Sequence, residues 1–345
     1  MMARKFLKAV MVSLLVSVSL LLLLELGQRV RYAIKNKDAM WLRYGFHRVN
    51  GRFPSGEHTY NDVTYTINSR QFRGGEFPVP KPADTFRIVS LGDSITFGID
   101  NPDGYTYPQL LDNLFREKNK GINRVEVINA GTPGYSSELC LKLFKKEVLS
   151  IEPDLLIAMV GWNDVINGIY EGSTSINSIS NNIIWFLTRK SILVMTVREK
   201  LAAKDGNIDK MYWKKIYNRP PDIVFKRYQD NLNKIIALAK ANKIGIFLVK
   251  FPHQEKKVDT KQEYQRMVQK YMAVELKEDY KRVHGIMDSV GRENNVPVLD
   301  IAAYFSKMGN PDRLFSPDGI HLSNEGNKVF AGLVYDFINA NNLIK

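Results

Sequence analysis

The sequence predicts a three-layer α/β/α sandwich around a parallel sheet of about five strands. Three observations carry this. Short apolar, β-branched runs recur along the chain, as strands buried on both faces do. Amphipathic stretches of helical period lie between them. The runs end in turn residues that also carry reactive groups: Gly92-Asp93-Ser94, Gly131-Thr132, Gly161-Trp162-Asn163 and Asp300. Strand and helix in alternation make the sheet parallel, and right-handed crossovers make it doubly wound.

The chain has 345 residues, of which 44% are hydrophobic and 25% charged, a globular composition. Its net charge of +13 favours anionic surfaces, but the Lys and Arg residues are scattered and no nucleic-acid motif appears, so no nucleic-acid partner is expected. The one cysteine, Cys140, can form no internal disulfide and reads as a small core residue. Neither CxxC nor HExxH spacing occurs, so no metal site and no cofactor is expected.

At the amino terminus, Arg4, Lys5 and Lys8 precede an uncharged run from Ala9 to Leu24, which ends at Glu25. As helix this run is about 24 Å long, near the lower limit for crossing a bilayer once Lys8 snorkels. LLLLELGQRV offers no small-x-small cleavage site, so residues 1–26 read as an uncleaved signal anchor, with a cleaved signal peptide as the second reading. Arg29, Arg31, Lys35 and Lys37 outnumber the basic residues before the run, which by charge alone places the body in the cytoplasm. A short charged head followed by a long chain is the usual export arrangement, and the expectation is a single-pass protein with its body outside the cytoplasm.

Residues 27–85 read as a stalk and lead-in segment containing one half-buried strand, Asp62 to Asn68. Arg70 and Arg73 there have two readings, contact with an anionic substrate or attachment of the segment to the main domain. The main domain spans 86–345. Its central strand is Ile88 to Leu91. A helix follows over Tyr107 to Lys118, then a strand over Val125 to Ala130 and a helix capped by Ser136 or Ser137. Strands at Leu155 to Val160, Ile244 to Val249 and Val298 to Leu299 complete the sheet. The last helix carries Val329, Phe330, Leu333, Val334, Phe337 and Ile338 on one face, with Ser323 as its cap. Residues 170–222 break the rhythm. Their apolar stretch IIWFLTRKSILVM and basic tail read as a lid, as an element lying on a membrane surface, or as a core helix with a solvated tail.

Ligands bind at the carboxyl ends of parallel strands, and the reactive groups gather there. Ser94 can attack a carbonyl, His321 can take its proton, and Asp318, three residues earlier, can hold the imidazole. The backbone N–H groups of Ser94 and Gly131 and the Asn163 amide can receive an oxyanion. Singly, Gly131 serves a turn, Asn163 caps a helix, Asp318-Gly319 makes a turn and His321 is a surface residue. Together, all on strand ends or late loops of one rim, they point to acyl transfer. His253, beyond the fourth strand, is a weaker candidate for lining the pocket.

GDSIT, INAGTPG, GWND and DGIHL resemble blocks one, two, three and five of the SGNH hydrolases, also called the GDSL family. The resemblance runs from about Phe86 to the carboxyl terminus. It implies a flavodoxin-like fold, Ser94 as nucleophile, Gly131 and Asn163 as oxyanion donors, His321 as base and Asp318 as its partner. Ile95 replaces the Leu of the name motif, and the GxSxG elbow of α/β-hydrolases is absent. With the anchor, the resemblance implies a tethered member that cleaves O-acyl, for example O-acetyl, esters of a cell-envelope glycan or lipid. An O-acyltransferase using the same residues and a non-enzymatic, tethered glycan-binding protein are the alternatives.

Overall fold

A computed structural model describes residues 2–36, 53–60, 63–118, 124–172, 191, 193, 197, 222–254 and 277–344. Its backbone contacts divide the chain into two units. One comprises residues 1–50, 58–62 and 174–216, the other residues 51–57, 63–173 and 217–345.

In the first unit, helix α1 (Met2–Asn36) runs well past Glu25, where the apolar run ends in the sequence. Within it, Val10–Arg31 has a mean hydropathy of 2.4 and is long and apolar enough to cross a membrane, and none of that window is buried. The helix continues through Glu25, a good helix former, whose carboxylate accepts the Nε of Arg29, one turn on, at 2.8 Å. Glu25 also accepts hydrogen bonds from the Ser191 hydroxyl and the Leu193 N–H. Of the stretch 170–222, read as a lid, a membrane-surface element or a core helix with a solvated tail, all but residues 170–172, Ser191, Leu193, Val197 and Asp222 lies outside the described residues.

The second unit holds a five-stranded, all-parallel sheet. Two short strands precede it, β1 (Gly56–Tyr60) and β2 (Val63–Ile67). The sheet strands are β3 (Thr85–Gly92), β4 (Arg124–Gly131), β5 (Leu155–Met159), β6 (Gly245–Lys250) and β7 (Val298–Asp300), in the order β4-β3-β5-β6-β7. This is the doubly wound order 2-1-3-4-5, whose switch point lies beside β3. β3 pairs with β4 from Thr85↔Arg124 to Gly92↔Gly131 and with β5 from Ile88↔Leu155 to Gly92↔Met159. The apolar runs become strands because both faces are covered, and β5 is buried at every position.

The helices are α2 (Ser94–Phe97), α3 (Tyr107–Lys118), α4 (Ser137–Leu143), α5 (Trp162–Gly172), α6 (Asp222–Ala241), α7 (Lys277–Glu293), α8 (Ile301–Ser306) and α9 (Asn324–Ala340). α3 packs against α9 on one side, and α6 packs against α4, α5 and α7 on the other. Tyr107 and Phe330 stack at 4.3 Å between α3 and α9, and Phe337 seats α9 on Phe247 of β6. The protein is thus the α/β/α sandwich that its pattern of strands and helices predicts.

Charge enters this core once in the central strand. Arg87 is fully buried, and its Nε donates to Glu126 of β4 at 2.8 Å. Its other donors go to the Pro78 and Ile151 carbonyls. Every arm of the guanidinium therefore has a partner, which is what makes a buried charge tolerable. Cys140 is buried and free, as expected of a core residue.

Candidate active site

The rim at the carboxyl end of β3 is shaped by backbone sterics. Asp93 caps α2 by accepting the Ile95 N–H at 3.0 Å, and Gly98, at φ 76°, ends that helix after one turn. Ser94 is the first residue of α2. Its N–H is therefore among those a helix leaves unpaired, and no acceptor among the described residues engages it.

His321 reaches this hydroxyl from the loop before α9. Its Nε2 lies 2.8 Å from Ser94 Oγ, and its Nδ1 lies 2.5 Å from Asp318 Oδ2. The other Asp318 oxygen accepts the backbone N–H groups of Ile320 and His321, both at 2.9 Å. The carboxylate thus holds the ring and the loop that carries it. The loop turns through Gly319, at φ 71°, and the end of β6 fixes it: Gln254 N–H donates to the Gly319 carbonyl at 3.0 Å. The Gln254 side chain donates to Asp312 Oδ1 at 2.6 Å. Nothing in the sequence marked Gln254 for this part, because Pro252-His253-Gln254 reads as an ordinary strand exit.

A second carboxylate, Asp100, stands 3.8 Å from His321 Nδ1. The oxygens of Asp100 and Asp318 and a ring nitrogen of His321 lie within 4.8 Å of one another, a closeness that the Nδ1–carboxylate contact itself produces. Burial would lower the His321 pKa, but Asp318, Asp100 and Asp93 outweigh burial and raise it above the usual imidazole value. The Asp318 carboxyl is opposed by burial too, yet its bonds to His321 hold it below the usual carboxylate range.

Asn163, early in α5, brings its amide to the same rim. Nδ2 lies 3.1 Å from the Tyr135 carbonyl and 3.3 Å from Asp93 Oδ2. Asp164 beside it accepts the Ser137 N–H at 2.8 Å and the Ser137 hydroxyl at 2.5 Å. Ser136, one of the two expected caps, occupies the N-cap of α4, but its side chain makes no cap bond and Asp164 takes the free Ser137 N–H in its place. Burial pushes the carboxyls of Asp93 and Asp164 each up to about 6.

One expected donor is already engaged. The Gly131 N–H is committed to Asn129 Oδ1 at 2.9 Å. The reason for a glycine there is contact: a Cβ on Gly131 would sit 2.2 Å from the Phe97 backbone nitrogen, so α2 can lie directly on the end of β4. Gly134, three residues on, has φ 81° and ends a Thr132-Pro133-Gly134-Tyr135 turn closed by Tyr135 N–H to Thr132 O at 3.1 Å. In a turn with Pro second and a positive-φ Gly third, the Gly N–H points away from the turn. No acceptor among the described residues takes it. The Pro133-Gly134 pair within INAGTPG is the sequence signal for this position.

The remaining candidates have structural positions. Arg73 is buried, and its guanidinium donates to the carbonyls of Phe97, Gly98 and Asn101 at 2.6, 2.5 and 2.5 Å. It joins its segment to the main domain, the second of its two readings. Arg70 is exposed. His253 packs among Trp162, Tyr280 and His284.

The sequence model described as GDSL-like Lipase/Acylhydrolase matches residues 90–329. The chain belongs to the GDSL-like lipase/acylhydrolase family. Esterase or acylhydrolase activity of a general kind comes with that membership. Among solved structures, this GDSL-family chain is similar to a lipase/acylhydrolase from Enterococcus faecalis, at 21% identity and a TM-score of 0.48, covering 74% of this chain and 96% of that one. It is similar to the acetyl xylan esterase AlAXEase at 18% identity and a TM-score of 0.47, covering 73% of this chain and 100% of that one. It is also similar to the psychrotrophic esterase EstA from Pseudoalteromonas sp., at 14% identity and a TM-score of 0.45, covering 74% and 97%. No curated protein matches the sequence.

Proposed function

We propose that this family member is a membrane-tethered serine ester hydrolase that removes O-acyl groups, acetyl foremost, from a cell-envelope glycan or lipid through an acyl-enzyme. The observation that carries the reading is the line from Ser94 Oγ to His321 Nε2 to Asp318, at 2.8 and 2.5 Å. Ser94 Oγ attacks the ester carbonyl while its proton passes to neutral His321 Nε2. Nδ1 keeps its proton, donated to Asp318, which fixes the tautomer and faces the imidazolium that forms. The proton now on Nε2 then goes to the departing alkoxide. Water, deprotonated by the same nitrogen, attacks the acyl-Ser94 and releases the acid.

The oxyanion of each tetrahedral intermediate is received by the Ser94 N–H, the Gly134 N–H and the Asn163 amide. Gly134 takes the place first expected of Gly131 because its N–H is uncommitted. Asn163 is steered by the Tyr135 carbonyl. Its longer contact, 3.3 Å to Asp93, is the one an oxyanion replaces.

Tethering is supported by Val10–Arg31: 22 residues of helix span about 33 Å, enough for a hydrocarbon core of about 30 Å. In this reading the hydrolase body, residues 86–345, lies outside the cytoplasm behind the 1–26 anchor and the 27–85 segment. A carboxyl-terminal reporter active in one compartment checks the orientation.

The test of the chemistry is an ester panel, from short acyl to long acyl and acetylated sugars, run on the wild type and Ser94→Ala. Short acyl esters and acetylated sugars are expected to turn over, and Ser94→Ala is expected to lose roughly 10⁴-fold or more in kcat. Undiminished turnover by Ser94→Ala ends the assignment.

A further inference from the structure

His321 Nδ1 faces two carboxylates. Asp318 accounts for the orientation of the ring, with one oxygen on Nδ1 and the other on two backbone N–H groups. Asp100 Oδ2, at 3.8 Å, is too far to hydrogen-bond the ring but is within ion-pair reach. Among the described residues, His321 is the one basic side chain at that distance from Asp100.

The loop carrying Asp100 is held on both sides. Arg73 takes the carbonyls of Gly98 and Asn101. The Asn101 side chain donates to Asn324 Oδ1 at 3.0 Å and accepts from Asn327 Nδ2 at 2.9 Å, both on α9, the helix that follows His321. Asp100 is therefore fixed against the ring from a different element than Asp318. Burial, and Asp318 close by, raise its carboxyl above the usual range, while His321 and a hydrogen bond with the Ser316 side chain pull the other way.

We propose that Asp100 is a second positioning residue for the base, the anion that favours imidazolium at His321 without orienting it, and the acceptor left to Nδ1–H when Asp318 is removed. The inference rests on the reading of His321 as general base. In the step concerned, the Ser94 proton moves to Nε2 and the Nδ1 proton stays where it is, so neither aspartate is protonated. The charged groups facing the ring are Asp318 from its own loop, Asp100 from the loop after α2 and Asp93 from the end of β3. Asp93 in turn faces Asp164.

The experiment compares Asp100→Asn, Asp318→Asn, the double variant and Asp100→Glu in the full chain in detergent. It reads kcat and KM against pH on a short-chain ester, and the His321 titration by NMR. Asp100→Asn is expected to lower kcat about tenfold with little change in KM. It is expected to shift both the acid limb of kcat/KM and the His321 titration down by on the order of one pH unit. Asp100→Glu is expected to restore the limb, and Asp100→Asn is expected to cost more in the Asp318→Asn background than in the wild type. A His321 titration and an acid limb that coincide in Asp100→Asn and wild type would overturn the proposal. So would equal costs of Asp100→Asn in the two backgrounds. Turnover that survives in Ser94→Ala defeats the general-base reading instead, and the NMR titration then still decides whether Asp100 acts on the ring.

Discussion

An imidazole serves as a base only while neutral, so with His321 as the proposed base the pH at which it loses its proton sets the acid limb of kcat/KM. Burial works against the charged ring, but the three aspartates around it win and raise its pKa. The acid limb is therefore expected above the ordinary imidazole value of about 6.5, and a rate profile on a soluble ester checks it. His284 shows the opposite balance. Burial, with His253 and Lys250 adding to it and Asp300 opposing, pushes its pKa down to about 3, and its Nε2 has no hydrogen-bond partner among the described residues. The folded state then keeps His284 neutral while the unfolded chain takes up a proton near pH 6.5, so stability from this group is present above that pH and is lost progressively toward pH 3. His284→Leu is expected to lose less Tm between pH 7.5 and pH 5 than the wild type does, measured by thermal unfolding. Neither shift was legible in the sequence, because Asp100 and Asp93 lie more than two hundred positions from His321, His253 and Lys250 lie about thirty from His284, and only packing brings them together.

At the scale of elements, the active rim depends on how closely α2 lies on the ends of β3 and β4. Gly131→Ala places a methyl 2.2 Å from a backbone nitrogen of α2, which no side-chain rotation relieves. It is expected to cost about 1–3 kcal/mol of stability, as overpacking does, and to lower kcat because Ser94 moves with α2. Chemical denaturation and ester kinetics check both. Gly134→Ala makes the contrast. Its Cβ meets nothing within 4 Å, and the only strain is φ 81°, so about 1 kcal/mol is expected, with an effect on kcat through the displaced N–H. The two glycines look alike in INAGTPG. The parallel register Gly92↔Gly131 decides which one is packed and which one is open. Ser323 was legible as a cap, since its hydroxyl accepts Gly326 N–H at 3.0 Å. Ser136, one of the two residues read as a cap, does stand at the N-cap of α4, but the acceptor for the Ser137 N–H comes from Asp164 on another helix, which no local pattern records.

At the scale of the molecule, the proposed division between anchor and hydrolase has a direct consequence. Removing residues 2–36 is expected to move the protein from the membrane fraction to the soluble fraction while Ser94-dependent ester hydrolysis remains, and fractionation with activity assays measures this. The sequence by itself determined the alternation of strands and helices, hence the sandwich, since periods of 2 and 3.6 residues and apolar runs are local properties. It also singled out the residues proposed to carry the chemistry, since Ser94, Asn163, Asp318 and His321 fall at strand ends and late loops wherever the sheet is drawn. The tertiary structure decided what those residues touch. It committed the Gly131 N–H to Asn129, left the Gly134 N–H open, turned Arg73 inward to the backbone carbonyls and set Asp100 against His321. These outcomes depend on contacts of a few ångströms between segments far apart in the chain, and only the packing of the whole sheet fixes such distances.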